Sequence, residues 1–281
     1  MSKYVLAVSG GVDSVAMLDM MSQGNHSLII AHVDHGIRGD DSTADARFVA
    51  KLAEKYQLPF VTTELHLGAN ASEELARDKR YEFLFSVARE HRAQVATAHH
   101  LDDVVETIAL NISRGTGWRG LAAMGRVDIV RPLLQLTKAQ IYDYALARRL
   151  EWVEDATNAS DLYKRNQVRH KIAAILPISV SKQVMNLRGA QMILRHDIDH
   201  EAERLNAQFS GSRHFLMQIS EREALEVLGS EIKQCAGIRP MVPQLVGALG
   251  AIKTARTGKK FQVGSGITLE FSARKYSVEV I

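Results

Sequence analysis

Cysteine is almost absent: the 281-residue chain holds one, Cys235. A single thiol closes no disulfide within the chain and builds no cysteine-cluster zinc or iron–sulfur site. It also excludes sulfur-transfer chemistry that needs two cysteines in one chain. Cys235 itself reads as a small apolar residue on a helix face. Long apolar runs are missing too, and none approaches the length of a membrane span. The first residues, Met1-Ser2-Lys3-Tyr4, run straight into a strand-like segment rather than a signal peptide. A cytoplasmic protein is therefore the expectation. Internal repeats and low-complexity tracts are absent. Charge of one sign is in no large excess, the net being +3. Its distribution is uneven: residues 1–180 carry 21 Lys and Arg against 22 Asp and Glu, and residues 181–281 carry 14 against 10. A basic second region points to a polyanionic partner, although many solvated surfaces are as basic.

What is present is an ordinary globular mix, 46% hydrophobic and 24% charged, long enough for one large domain and a small one. Short apolar runs at 4–8, 27–31, 59–62, 94–98 and 129–131 read as strands. Helical stretches at 13–22, 43–56, 73–91, 103–114 and 138–149 alternate with them. This alternation predicts a doubly wound α/β fold, a parallel sheet covered on both faces, Rossmann-like in layout. Ligands of such folds sit beyond the carboxyl ends of the strands. Thr137 with Gln140 fits a capping box, so one helix starts at Lys138. Residues 154–166 read as a loop, and Pro177 ends the helix that follows it. A helical period over 182–208, with Val184, Leu187, Ile193 and Leu194, predicts a linking helix. Helices near 220–234 and 241–254 and strands at 261–263, 267–271 and 276–280 complete a small α+β domain. The expected division is a catalytic domain at 1–180, a linking helix at 181–211 and a C-terminal domain at 212–281.

The first strand runs directly into Ser9-Gly10-Gly11-Val12-Asp13-Ser14, which opens a helix. Two glycines let the backbone turn sharply and approach a ligand. Amides at a helix start, aided by the helix dipole, bind phosphate oxygens, and Ser9 and Ser14 add hydroxyls. Asp13 would be repelled by phosphate unless a cation lay between them, which implies a bound Mg2+. The loop lacks the lysine of a Walker A sequence and the G-x-G-x-x-G spacing of a dinucleotide fingerprint. It does resemble the signature of PP-loop ATP pyrophosphatases, which cleave ATP to AMP and pyrophosphate.

Other clusters stand at strand ends. His32-Val33-Asp34-His35-Gly36-Ile37-Arg38 closes the second strand, and its two histidines alone also admit a zinc reading. His99-His100-Leu101-Asp102-Asp103 with Glu106 closes the fourth strand and starts a helix. Asp103 and Glu106 share a face; acids there also serve simply as partners of the helix dipole. Arg77 and Arg80 lie three apart beside Glu73 and Glu74, a pattern that also fits surface ion pairing.

Taken in order, these segments resemble the tRNA(Ile)-lysidine synthetase family over nearly the whole chain. The resemblance rests on the loop at 9–14, on His32 to Arg38, on Ser72-Glu73-Glu74-Leu75-Ala76-Arg77 with Arg80-Tyr81, and on Ala96 to His100 with Asp103 and Glu106. It continues through Arg114-Gly115-Thr116-Gly117, Arg131-Pro132-Leu133, Trp152 to Asp155 with Asn158, and Arg165-Asn166 with Arg169-His170. The C-terminal region looks like the compact form of the family, with one appended domain. The resemblance implies that lysine is ligated to the wobble cytidine of tRNA(Ile) with a CAU anticodon, through an adenylated base. Ser9, Gly10, Gly11, Val12, Asp13 and Ser14 would then hold ATP, with Asp13 on Mg2+. Arg80 would lie at the lysine and nucleotide site, Asp103 would bind the lysine amine, Glu106 would support it, and His99 would lie beside them. It also implies that the second strand's end contacts adenine. Reaching one anticodon base requires an unstacked nucleotide and cationic grips on the backbone. Arg114, Arg119, Arg126, Lys164, Arg165, Arg169, Lys171, Lys259 and Lys260 are the candidates, each also readable as solvated basic surface. No membrane partner is implied, and a homodimer remains open. A thiolase of the same superfamily conflicts with the single cysteine, and an amidotransferase-coupled synthetase would need a glutaminase domain. A non-catalytic nucleotide sensor has little reason to keep Asp13, Asp103 and Glu106 together.

Overall fold

The computed structural model describes residues 1–34, 40–65, 72–154 and 178–280. The expected loop after Glu154, Pro177, and the candidates His35, Arg38, Lys164, Arg165, Arg169 and Lys171 lie outside the described residues. Two compact units are present: Met1–Leu110 with Ala123–Asn186, and Asn111–Ala122 with Leu187–Ile281.

The first unit is built on five strands, β1 (Ser2–Ala7), β2 (His26–Asp34), β3 (Phe60–Glu64), β4 (Gln94–Ala96) and β5 (Ile129–Val130). They pair in parallel in the order β3-β2-β1-β4-β5. The period-2 alternation of strand side chains splits each apolar run between two cores. Leu6, Leu28 and Ile30 face a cluster with Val15, Leu18, Val49, Leu52 and Ile141. Val5, Ile29 and Ala31 face Tyr81, Leu84 and Val87 on the other side. The covering helices are α1 (Val12–Ser22), α2 (Asp40–Tyr56), α3 (Glu73–His91), α4 (Leu101–Ser113) and α5 (Lys138–Ala147). The strand order reverses direction between β1 and β4, and such a switch point is where a crevice opens at the carboxyl edge of a doubly wound sheet. β4 stops at Ala96, two residues before the expected end, although Thr97 still donates to the carbonyl of Val130. The capping box at Thr137 and Gln140 is present in both directions.

The second unit carries three antiparallel strands, β6 (Lys260–Gly264), β7 (Ile267–Phe271) and β8 (Tyr276–Val280), in that order. Helices Glu221–Ala236 and Val242–Thr254 cover them, and Leu228, Ile232, Leu245, Ile252, Leu269 and Phe271 form the core. A short helix, Arg213–Gln218, escapes the periodicity because six residues are too few to show one; Ser212 caps it. The long helix expected over 182–208 runs from Ile178 to Phe209. Cys235 lies on a helix as expected but is exposed in its last turns rather than packed. Among the described residues no helix is long and apolar enough to cross a membrane.

Asp19 ties three helices of the first unit together. Buried on α1, it accepts hydrogen bonds from Tyr56 Oη of α2 at 2.8 Å, Tyr144 Oη of α5 at 2.7 Å and Arg148 Nε at 3.1 Å. Burial alone would raise its pKa, but the two tyrosine hydroxyls and Arg148 outweigh burial and lower it. A carboxylate with a depressed folded pKa contributes stability that is present above its unfolded pKa and lost as pH falls through the folded one. Asp19→Asn is expected to lower stability at pH 7 by about 2–3 kcal/mol, the worth of a charged buried acceptor. The gap from wild type should narrow on acidification below about pH 4; thermal melts at pH 7 and pH 3.5 measure both.

Candidate active site

The turn from β1 to α1 is shaped by Gly10, whose φ of +96° suits only glycine and whose missing Cβ would touch Phe48 at 3.4 Å. Its carbonyl accepts from Val153 N at 3.0 Å, which fixes the turn from outside. Ser14 Oγ organises the turn from within. It accepts from Ser9 N and Gly10 N, both at 3.2 Å, and donates to the Gly11 carbonyl at 2.8 Å. Ser9 Oγ donates to it at 3.3 Å. Gly11 is the N-cap of α1 and supplies no side-chain cap. First-turn amides without a side-chain acceptor suit an anion.

Asp13 projects from the first turn of α1 and is met by Lys138 Nζ at 2.6 and 2.7 Å from its two oxygens. Lys138 is the first residue of α5, where the helix dipole disfavours a cation. Asp102 compensates: its Oδ2 accepts from Lys138 N at 2.6 Å and supplies the negative charge that this helix end prefers. His100 stands among the same carboxylates. Its Nε2 lies 3.9 Å from Asp13 and 3.5 Å from Asp103, and its Nδ1 is 3.4 Å from Asp102, all within ion-pair range. Burial would depress its pKa, but Asp102, Asp103 and Asp13 together raise it, which favours the imidazolium. Asp103 also accepts from the amide of His100 at 2.9 Å, one half of a capping box at the start of α4. Glu106 is buried one turn further along α4.

The neighbouring histidine behaves oppositely. His99 Nδ1 is 2.8 Å from Thr97 Oγ1. Burial first, then Arg131, Arg77 and Arg80, push its pKa down to about 4 against the pull of Asp103. His99 is therefore neutral at pH 7. Arg80 and Arg77 come from α3, their guanidinium carbons 5.5 and 5.3 Å from the Tyr81 ring centre. Expected site residues Asp13, Asp103 and Glu106 thus share the β1 and β4 strand ends with His99, which Arg80 influences. Lys138, His100 and Arg131 belong to the same neighbourhood, and the sequence alone assigns them no role there.

His32 is buried and its Nδ1–H donates to the Val8 carbonyl at 2.9 Å, joining the ends of β1 and β2. In the second unit Arg114 and Lys259 are exposed. Arg119 is not: it reaches Asp199 at 2.7 Å and Glu226 at 2.6 and 3.0 Å, and it lies against Trp118. Lys260 pairs with Glu279 at 2.8 Å and Glu270 at 3.4 Å. Arg126, in the first unit, takes Asp128 in a two-pronged pair.

A family model described as the PP-loop domain, ATP_bind_3, matches residues 1–176. The curated tRNA(Ile)-lysidine synthase of Solibacter usitatus is 40% identical over 174 residues, covering 60% of this chain and 40% of that protein. The one from Geobacter sulfurreducens is 39% identical over 188 residues, covering 62% and 40%. The one from Thermotoga maritima is 30% identical over 307 aligned residues, covering 98% of this chain and 72% of its relative. The chain thus spans about two fifths of the length of the first two relatives. Among solved structures, the U34-tRNA thiolase NcsA from Methanococcus maripaludis, with its 4Fe-4S cluster, superposes with a TM-score of 0.57 at 24% identity. It covers 69% of this chain and 72% of its own, a likeness of fold alone. With the family model on more than half its length, and with 98% of it aligned to 72% of the Thermotoga relative, the chain belongs to the PP-loop domain family and, within it, to the tRNA(Ile)-lysidine synthases.

Proposed function

We propose that the chain uses ATP to join free lysine to the wobble cytidine of tRNA(Ile) with a CAU anticodon. The observation that carries this reading is the meeting of the uncapped start of α1, with Asp13, and the acidic start of α4, with Asp103 and Glu106, at the β1–β4 switch point. One edge of the site suits a triphosphate and the other an amine.

In the reaction, the cytosine 2-oxygen attacks the α-phosphorus and pyrophosphate leaves. The lysine ε-amine then attacks C2, and AMP departs with the former 2-oxygen. The amine sheds its surplus proton to a carboxylate or water at the site. A carbonyl oxygen is a poor leaving group, and adenylation makes it a good one. The turn amides and Ser9 and Ser14 hydroxyls would hold the phosphates. His100 and Lys138 would supply positive charge toward them, since charge stabilisation is the main contribution a protein makes to phosphoryl transfer. Asp103, with Glu106, would hold the lysine amine.

Asp13 is the residue that would hold Mg2+. Among the described residues no group of three or more His, Cys, Asp or Glu is arranged for a metal. Mg2+ typically takes only one or two carboxylates and completes its shell with phosphate oxygens and water, so a single aspartate beside a triphosphate fits it. When bound, the ion would neutralise charge on the phosphates.

The proposed tRNA contacts fall on exposed Arg114 and Lys259 before Arg119 and Lys260, which already hold carboxylates. A thiolase gains no support, since Cys235 is the only thiol in the chain, and a nucleotide sensor has little reason to keep Asp13, Asp103 and Glu106 together.

Incubation with labelled lysine, ATP and bulk tRNA is expected to label tRNA(Ile) and release pyrophosphate; labelled lysine left wholly free, or orthophosphate as the product, refutes the reading. Asp13→Asn should keep tRNA binding and lose adenylation, and normal pyrophosphate release by that variant would remove Asp13 from the phosphate site. Replacing Lys259 and Lys260 by glutamate should weaken tRNA binding and flatten its salt dependence, the slope falling by about one for each phosphate no longer gripped. Salt titrations of tRNA affinity measure it, and an unchanged slope would make these charges incidental.

A further inference from the structure

The arginine cluster beyond β4 and β5 has unmet bonding capacity. Tyr81, on α3, is 7% exposed, and its hydroxyl has no hydrogen-bond partner among the described residues. Arg131 follows β5 directly. Its Nη1 donates to the carbonyls of Met124, Arg126 and Ile129 at 3.1, 3.2 and 3.2 Å, while its buried Nε has no partner among the described residues. A buried donor left unmade costs free energy, and native structures rarely keep two in one place without a use. Arg77, Arg80 and Arg126 surround the Tyr81 ring, their guanidinium carbons 5.3, 5.5 and 5.6 Å from its centre. Asp128 neutralises Arg126. Among the described residues no carboxylate pairs with Arg77 or Arg131.

This cationic group borders an acidic one. The two meet at His99, whose imidazole feels Asp103 as well as Arg131, Arg77 and Arg80. Burial, then Arg77 and Arg126, also lower the Arg131 pKa against Tyr81 and Asp128, and an arriving anion would relieve that charge. A phosphate would suit the cations alone. A ligand carrying both signs over a short span suits the cations and Asp103 together, and a free amino acid is such a ligand.

We propose that Arg77, the Tyr81 hydroxyl and Arg131 seat the α-carboxylate of the free lysine whose side-chain amine is held at Asp103. The assignment rests on the proposed lysine-ligating function and extends it to the recognition of a free amino acid over a plain diamine. Tyr81 and Arg77 act as specificity residues: they select a substrate with a carboxylate and fix how far its amine reaches.

The test compares L-lysine with cadaverine, which has the same amine-bearing chain and no carboxylate. Tyr81→Phe removes one oxygen and Arg77→Gln one charge; Arg131 is spared because it also holds the 124–131 backbone. Each variant should lose roughly tenfold or more in kcat/KM for lysine, mainly through KM, as expected for one charged hydrogen bond. Cadaverine, as substrate or as a competitor of lysine, should be unaffected, and Arg77→Lys should recover part of the loss. Equal losses for lysine and cadaverine would overturn the proposal in favour of a structural role. A rise in the KM for ATP or in the Kd for tRNA with lysine unchanged would overturn it in favour of a phosphate seat. A wild-type protein that joins no lysine at all would instead refute the functional reading, and the seat with it.

Discussion

Three carboxylates, Asp13, Asp102 and Asp103, crowd the carboxyl ends of β1 and β4, and the site depends on how they are neutralised. Two like charges about 4 Å apart repel by roughly 4 kcal/mol at an effective dielectric near 20, too much to leave uncompensated at a half-buried edge. His100 sits within ion-pair reach of all three, and Lys138 closes on Asp13. The compensation is itself built against local preference. An ammonium at the first position of α5 opposes the helix dipole, and Asp102 restores the balance by accepting from the Lys138 amide. Asp13, Asp102 and Asp103 are thereby each held by a cation or an amide before any ligand arrives. A polyanion entering the turn would meet cations already in place, which is the condition for electrostatic preorganisation.

The parts of this arrangement that lie together in sequence are legible there. The β1–α1 turn is six consecutive residues, and its glycines, serines and aspartate imply a phosphate loop through local geometry alone. The alternating strand and helix runs predict the parallel sheet because buried strands read as continuous apolar segments. Lys138 is not legible as a partner of Asp13, since 125 residues separate them. A signal does exist: a lysine opening a well-capped helix breaks the dipole rule, and a broken local rule often marks a long-range partner. His100 reads only as part of a cluster because sequence does not show which carboxylates will surround an imidazole.

Basic residues are hard to weigh in sequence for the same reason. Arg119 and Lys260 read as polyanion contacts while their acidic partners, Glu226 and Asp199 for one and Glu279 and Glu270 for the other, stand far off in the chain. The sign of a side chain is local information, but its availability is a property of the fold. Asp103 shows the converse. Its reading as a plain helix-end acid is half right, because one oxygen caps the His100 amide, and that bond fixes the carboxylate that also faces the imidazole ring.

The two adjacent histidines show how little backbone is needed to divide such a site. His100 is surrounded by aspartates and its pKa rises; His99, one residue earlier, is buried near three arginines and its pKa falls to about 4. Successive side chains on a non-helical segment diverge, so a single peptide unit separates an imidazole set among carboxylates from one whose charged form is disfavoured chiefly by burial. A substrate of one sign is drawn to one side of that partition. On the proposed reading, a substrate with both would be oriented across it, its reactive amine toward Asp103 and its anionic tail toward the arginines. Uniform charge on the strand end could concentrate ligands but could not orient them; on the proposed reading, the carboxylates around His100 and the arginines that act on His99 would give the site a direction.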